Sequence, residues 1–460
     1  MRINIQFSSL SLCLGISPFA CLMPVFFLFL LPVNSLAQTE LRGNFQNYTA
    51  LQTTDDYDFI AIRNRLQLQF GRSANFGRFY TEKDILQRYH ESVEPELFLR
   101  ELYIDWYAGD YDIRIGKQKV IWGRSDAAFV TDILTPLDLR EFVTDDPADI
   151  RFGIPAISVE RYFGLNSLQL VLNPIFQPHL LPDQDSRWFP VLQADLPLEV
   201  HFEDSERKLS ARNFQFAAQY RWRTPSRLDL DLMIMRWAYP VPAFSVNLEV
   251  FDFPDLTSLT LQENYHPSLM AGFSGSLRLT DNFYVESETL FVNQRLFTSL
   301  PFSPGLFDGF PANLPALLDL IQNANFLNND SIVKKPWLHS MAGLQTEIFS
   351  TTVRAQAHLE FIFNYDEDIL SEEYFPYFSL LATRSFMRDR MQLIALTRYQ
   401  PEGEDFWFQF QANYELADGF EFSLGTNLFG GNEPPDLYGH FSFYPFRKNS
   451  SLFTRFAYYF

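Results

Sequence analysis

The chain has 460 residues, 56 acidic against 36 basic for a net charge of −20, and 17% of it is aromatic, with 49 Phe. That acidity argues against nucleic acid and anionic surfaces as partners. Beyond residue 37 no stretch approaches the ~20 apolar residues a membrane helix needs, so the aromatic residues must be buried by many short strands or shown to lipid.

The first element is a targeting signal. Arg2 is the only charge before Glu40, an apolar run spans Leu22 to Val33, and Ser35-Leu36-Ala37 offers a small-x-small cleavage site before Gln38. Pro18, Pro24 and Pro32 interrupt a would-be anchor helix. The expected division is a signal peptide over 1–37 and a barrel over 38–460. Cys13 and Cys21 leave with the signal, so the mature chain has no disulfide, thiolate chemistry or cysteine metal site. Cleavage removes one basic residue and no acid, which takes the net charge to −21.

From residue 41 to the end the pattern is two-residue alternation. In 59–70, Ile60, Ile62, Leu66, Leu68 and Phe70 alternate with Arg63, Arg65, Gln67 and Gln69. In 352–363, Val353, Ala355, Ala357, Leu359 and Phe361 alternate with Arg354, Gln356, His358 and Glu360. Strands are expected near 41–51, 59–70, 75–86, 98–107, 110–117, 156–163, 166–173, 212–222, 227–236, 270–279, 283–292, 340–348, 352–363, 374–386, 390–399, 406–415, 420–428 and 451–460. Their lengths approach the roughly 9–11 residues of a tilted membrane strand, and their apolar faces often end in aromatic residues. Short turns alternate with long acidic stretches at 118–155, 174–211, 237–269 and 293–339. The fold class is therefore all-β: a single transmembrane antiparallel β-barrel of about 18 strands with long external loops and an inward-folded loop. Demoting 75–86 would leave 16 strands. The segment 437–446 is read as external loop, and Pro315–Leu327 as a short loop helix.

The last strand carries its own signal. Phe456, Tyr458 and the terminal Phe460 share a face, and a closing strand that ends in Phe resembles the signal read by outer-membrane assembly machinery.

The segment from Leu99 contains a hairpin and then Gly116-Lys117-Gln118, Trp122-Gly123-Arg124-Ser125-Asp126 and Thr135-Pro136-Leu137-Asp138-Leu139-Arg140-Glu141-Phe142. Over about 45 residues it resembles an outer-membrane β-barrel family of unknown function with a G-[RK]-Q, W-G-[RK]-x-D and N-P-x-D-x-R-E-F signature, akin to alginate-export-type porins. Thr135 stands where that family has Asn. The resemblance implies a barrel that passes lipid-like or polymeric cargo, and no reaction.

The residues themselves give a mechanism. Alternation sends Glu101, Asp105, Asp112 and Arg114 to the lumen, and Leu102, Ile104, Trp106, Ile113 and Ile115 to lipid. Lys117, Trp122, Arg124, Asp126, Asp132, Asp138, Arg140 and Glu141 follow without alternation, in a stretch too charged for lipid. It is expected to fold into the barrel mouth as a constriction, bent at Gly116 and Gly123, with its charges facing wall residues that include Arg63 and Arg65. A structural latch in which Arg124 and Arg140 pair with Asp126, Asp132 or Glu141 fits the same residues.

No catalytic residue, metal site or cofactor is expected. The seven His lack metal-ligand spacing, His339-Ser340 are merely adjacent, and His358 with Glu360 reads as a luminal hydrogen-bond pair. The expected partners are outer-membrane lipid, the barrel-assembly machinery and a periplasmic or inner-membrane transport partner, with no nucleic acid. Two functions remain open. One is a channel for small solutes or amphipathic cargo filtered at 117–142. The other is a non-conducting barrel that binds a surface polymer or protein through acidic loops.

Overall fold

Alternating sequences form sheet when every second side chain has somewhere apolar to go, and closure removes the unpaired edges that lipid cannot hydrate. The computed structural model describes residues 38–54, 57–89, 92–125, 128–141, 150–183, 186–189, 198–203, 213–225, 227–251, 256–299, 331–432 and 442–460. The chain begins with β1 (Gln38–Gln52), β2 (Phe59–Ala74), β3 (Gly77–Arg88), β4 (Ser92–Ala108), β5 (Tyr111–Gln118), β6 (Ile154–Phe163) and β7 (Asn166–Asn173). Next come β8 (Leu198–Glu203), β9 (Gln215–Arg223), β10 (Leu228–Ala238), β11 (Ala243–Phe251), β12 (Leu256–Asn264), β13 (Pro267–Thr280) and β14 (Phe283–Thr298). The rest are β15 (Ile332–Ile348), β16 (Thr351–Ile362), β17 (Tyr374–Phe386), β18 (Met391–Gln400), β19 (Asp405–Ala417), β20 (Phe420–Gly430) and β21 (Ser451–Tyr459).

Among the described residues, eighteen of these strands form one antiparallel sheet, each paired with the next, and β21 pairs with β1 to close it. The doubtful strand at 75–86 is β3, bonded to β2 along twelve residues, so the barrel has 18 strands rather than 16. β8, β11 and β12 form a separate three-stranded sheet within two of the long stretches, where alternation is short and was read as loop. Of 437–446, the described part opens a 3-10 helix at Tyr444–Asn449 and contributes no strand. The loop helix expected at Pro315–Leu327 and the signal peptide lie outside the described residues.

The turns show why pairing alternates. At the β15–β16 connection Phe349 and Ser350 have φ of 49° and 59°. Two positive φ values make the turn whose twist matches the flanking strands, here without glycine.

Direction of side chains follows period two. Ile104 and Trp106 are each 56% exposed on the outer face, with Ile115, Leu232 and Ile234. Their neighbours Glu101, Tyr103 and Asp105 are buried in the interior. A belt of exposed aromatic and aliphatic groups suits lipid and not water.

Candidate functional site: a segment across the lumen

Two glycines mark the entry to the crossing: Gly116, expected to bend, stays in the β5 ladder opposite Tyr103 and Ala156, and Gly123 turns the chain beyond it. Gly116 has φ of 135° and Gly123 φ of 126°, and a Cβ would stand 2.2 Å from the Leu102 backbone oxygen at the first and 2.9 Å from Thr131 Oγ1 at the second. Thr135 clamps the base of the crossing. Its hydroxyl accepts from the Val120 N–H at 2.9 Å and donates to the Val120 carbonyl at 2.8 Å. The residue that departs from the family signature thus makes both backbone bonds.

On the far wall the receiving group is Glu288 of β14. It accepts the backbone N–H of Arg124 and of Ser125 (2.8 Å), and the Thr131 hydroxyl (3.0 Å). The Arg124 guanidinium reaches Asp231 on β10 (3.4 Å) and Ser276 on β13 (3.3 Å), and Ser125 donates to Gln356 on β16 (3.1 Å). The indole N–H of Trp122 donates to Gln169 on β7 at 3.0 Å. Beneath these bonds lies an apolar seam. Val120, Trp122, Val130, Ile133 and Leu134 share one buried cluster with Met233, Met235, Met270, Leu290 and Met341 of the wall.

The near wall is ionic. Asp84, fully buried on β3, pairs with Arg65 (3.0 Å) and Arg100 (2.7 Å). Lys119 meets Glu82 at 2.9 Å and Glu101 at 3.8 Å. Glu141 takes Arg63 at 3.0 Å and Arg88 at 3.3 Å. Asp138 holds Arg140 at 2.9 Å, and Arg140 also reaches Glu96 at 3.1 Å. Burial pushes the Asp138 carboxyl up, but the hydrogen bonds and charge of Arg140, with Arg88, outweigh it and hold it below its ordinary value. Asp132 shows the reverse balance. Burial lifts its carboxyl above the ordinary value despite Arg151 at 2.6 Å.

A second loop braces the segment from outside. The Leu137 N–H donates to Nδ1 of the half-buried His179 (3.0 Å), and Leu139 and Leu180 add backbone bonds at 2.8 and 2.9 Å. Burial holds the His179 imidazole down to about 3, which suits a nitrogen that must stay unprotonated to accept.

The structure brings together Arg63, Arg65, Glu101, Trp122, Arg124, Asp132, Asp138, Arg140 and Glu141 around the crossing. Arg114 and Asp105 pair with each other lower on β4 and β5, at 2.6 Å. Asp112 stands apart at the short-turn end, where it accepts the Tyr162 hydroxyl at 3.0 Å. Lys117 belongs to β5 and not to the crossing. It lies opposite Leu102, on the lipid side with Ile115, because alternation continues to Gln118. Asp126 lies outside the described residues. The latch pairing is corrected for both arginines: Arg124 pairs with Asp231 of the wall and Arg140 with Asp138 and Glu96, while Asp132 and Glu141 take Arg151 and Arg63.

Several participants were missed. Glu82, Asp84 and Arg88 alternate on β3, but Lys83 on the opposite face hid the pattern. Glu288 alternates within a strand expected from sequence, so its inward direction was readable and its partners were not. Adjacent His339 and Ser340 face opposite sides. His339 bonds the Tyr377 hydroxyl at 2.9 Å, and Ser340 bonds Thr289 at 3.1 Å. The expected pair of His358 with Glu360 does not form: His358 stacks on Tyr377 at 4.5 Å, and Glu360 faces Arg295 at 3.7 Å.

At the closing seam Phe460 exchanges backbone bonds with Gly43 at 2.9 and 3.0 Å, and Tyr458 stacks on Phe420 at 4.3 Å on the outer face with Phe456.

No family model matches the chain, and no curated protein matches it. Among solved structures it is similar to OccK2 (OpdF) of Pseudomonas aeruginosa, at 7% identity and a TM-score of 0.50, over 92% of this chain and 97% of that one. OccAB3 of Acinetobacter baumannii is 9% identical with a TM-score of 0.48, over 92% and 99%. OmpF of Salmonella typhi, in a complex with daunomycin, is 10% identical with a TM-score of 0.41, over 92% and 97%. At such identities the likeness is one of fold, and OccK2 carries it: over 92% of its length the chain matches a closed outer-membrane-type barrel.

Proposed function

We propose that the chain is an outer-membrane channel for small hydrophilic solutes, exported by the signal at 1–37, with 117–142 as its fixed size and charge filter. The observation that carries this reading is the crossing of the lumen by a segment bonded to both walls, from Arg63 on β2 to Glu288 on β14. A segment packed into a buried seam narrows a pore permanently, whereas a hinged lid would leave that seam open to water.

The described bonds of the segment reach β2, β3, β4, β6, β7, β10, β13, β14 and β16. On the remaining wall Gln409, Gln411, Asn413, Ser423 and Asn427 alternate with outward Phe410, Leu424 and Leu428. The solute path runs along the part-exposed Gln409 and Gln411, whereas Asn413, Ser423 and Asn427 are buried in the wall; such amides suit hydrated solutes better than the lipid-like or polymeric cargo of the resembling family. A periplasmic partner is not required for such passage.

Planar-bilayer recording of the refolded protein tests this. Discrete conductance is expected, and it should rise when 124–131 is replaced by a Gly-Ser linker. Folded protein silent in both forms would sink the channel. The scaffold reading, favoured by the buried Trp122 and by the external sheet of β8, β11 and β12, would then stand.

A further inference from the structure

The wall that the crossing leaves free is not polar throughout. Register turns Leu381 of β17 and Leu396 of β18 into the lumen as a directly opposed pair, with Arg354 of β16 on one side and Gln409 of β19 on the other. Ile394 follows on the same face of β18, opposite Thr383 and Gln411. The residues between them on each strand point outward, in the exposed row of Phe378, Leu380 and Tyr399. All three inward aliphatic groups are partly exposed. The inward Met233, Met235, Met270, Leu290 and Met341 are not, because the segment packs over them and leaves each 5% exposed or less.

The strip lies beside the tip of the segment. Ser125 and Ser379 both donate to Gln356, at 3.1 and 3.3 Å, and Gln356 stands one inward position above the row of Arg354 and Leu381. A solute that passes the tip toward the short turns therefore meets the leucines, with the amides of Gln409 and Gln411 beside them. The charged neighbours face other groups: Arg354 pairs with Glu286 at 3.5 Å, and Arg398 stacks on Tyr377 at 4.1 Å. Water fills such a lumen, so aliphatic groups left uncovered there cost free energy until an apolar surface meets them.

We propose that Leu381, Ile394 and Leu396 form a specificity strip for net-neutral hydrophilic solutes that carry an aliphatic or aromatic side group. The strip rests on the reading of the chain as a channel. The side group of the solute slides over the leucines while its polar end exchanges water for the amides of Gln409 and Gln411. Three side chains in an open wall hold a solute weakly, which suits passage: it is gathered at the narrowing and still leaves. A wall of amides alone would offer no preference between solutes of equal size.

Swelling of proteoliposomes that contain the refolded barrel tests the strip with leucine and glutamine, zwitterions of similar size. Leucine should enter faster than glutamine. Leu381→Gln with Leu396→Gln should lower the leucine-to-glutamine ratio roughly threefold, and Gln411→Leu, which extends the strip, should raise it. Equal entry of the two solutes through the wild type, or a ratio that the double variant leaves unchanged, would overturn the strip. Heat-modifiable migration on gels confirms that each variant is folded. Should the double variant not fold, an unchanged ratio in Gln411→Leu overturns the strip in its place. Conductance in potassium chloride from the same samples separates the two failures: an open channel without leucine preference sinks the strip alone, and folded protein that conducts nothing sinks the channel reading with it.

Discussion

The two walls of the lumen hold the same segment by opposite means. On β2, β3 and β4 the contacts are ion pairs, with Arg63 and Arg88 set against Glu141 of the segment and Glu82 against its Lys119. On β10, β13, β14 and β15 the contact is methionine, leucine and tryptophan, with Glu288 as its central carboxylate. Desolvation cancels much of what a buried ion pair gains, so the ionic wall chiefly fixes where the segment lies. Apolar burial is not cancelled in that way, so the methionine wall supplies most of the free energy that keeps it there.

The comparison breaks first at Trp122, which is 1% exposed. Trp122→Ala should cost about 3–5 kcal/mol at the seam. The expected result is faster hydrogen exchange over 120–135 and a larger, noisier conductance in a barrel that still migrates as folded. Unchanged exchange would mean that the ionic wall suffices.

Glu288→Gln comes next. One amide oxygen cannot satisfy the donors of Arg124, Ser125 and Thr131, and each buried group left unmet costs about 1–3 kcal/mol. Exchange should quicken at 124–131 while 138–141 stays protected. Loosening of both ends together would show that the two walls act as one.

Removing positive charge tests the ionic side. Arg124→Ala with Arg140→Ala leaves each acid another arginine: Asp231 keeps Arg223 at 2.6 Å, Glu96 keeps Arg88 at 2.8 Å, and Asp138 keeps Arg88 at 3.6 Å. Stability should therefore fall by only about 1 kcal/mol, while reversal potentials shift toward cations. Wild-type selectivity in the folded double variant would leave the segment a latch and nothing more.

The smallest effect is expected from pH. Above the ordinary histidine value His179 is neutral whether its contact with Leu137 is made or broken. Below about 6.5 the released form gains a proton that the bound form, down at about 3, does not, so the contact weakens as pH falls through that window. Exchange at Leu137 should quicken between pH 7 and 4 beyond the intrinsic trend, and His179→Gln, which still accepts and does not titrate, should abolish the difference.

Much of this was legible in one dimension. All eighteen barrel strands lie where alternation put them, and the inward direction of Arg63, Glu101 and Asp105 came with it. Gly123 marked the bend because its backbone demand is local, whereas Gly116, also expected to bend, stays within the β5 ladder. Lys117 was misplaced because the end of a strand is decided by its partner, and Pro155 still pairs with it. The sheet of β8, β11 and β12 escaped notice because its strands are short and its pairing of β8 with β12 is parallel and distant.

What the sequence by itself determined is therefore what depends on neighbours one, two or a few residues away: strand number, side-chain direction and the bend at Gly123. The tertiary structure alone decided partners. Ser125 meets a carboxylate 163 positions further on only because closing β21 onto β1 curves β14 round to face β5 across the lumen. Strand alternation carries no trace of which wall a loop charge will face, since that depends on the circumference of the closed sheet. The same closure turned a run of isolated charges into two walls, one ionic and one apolar, with the segment held between them.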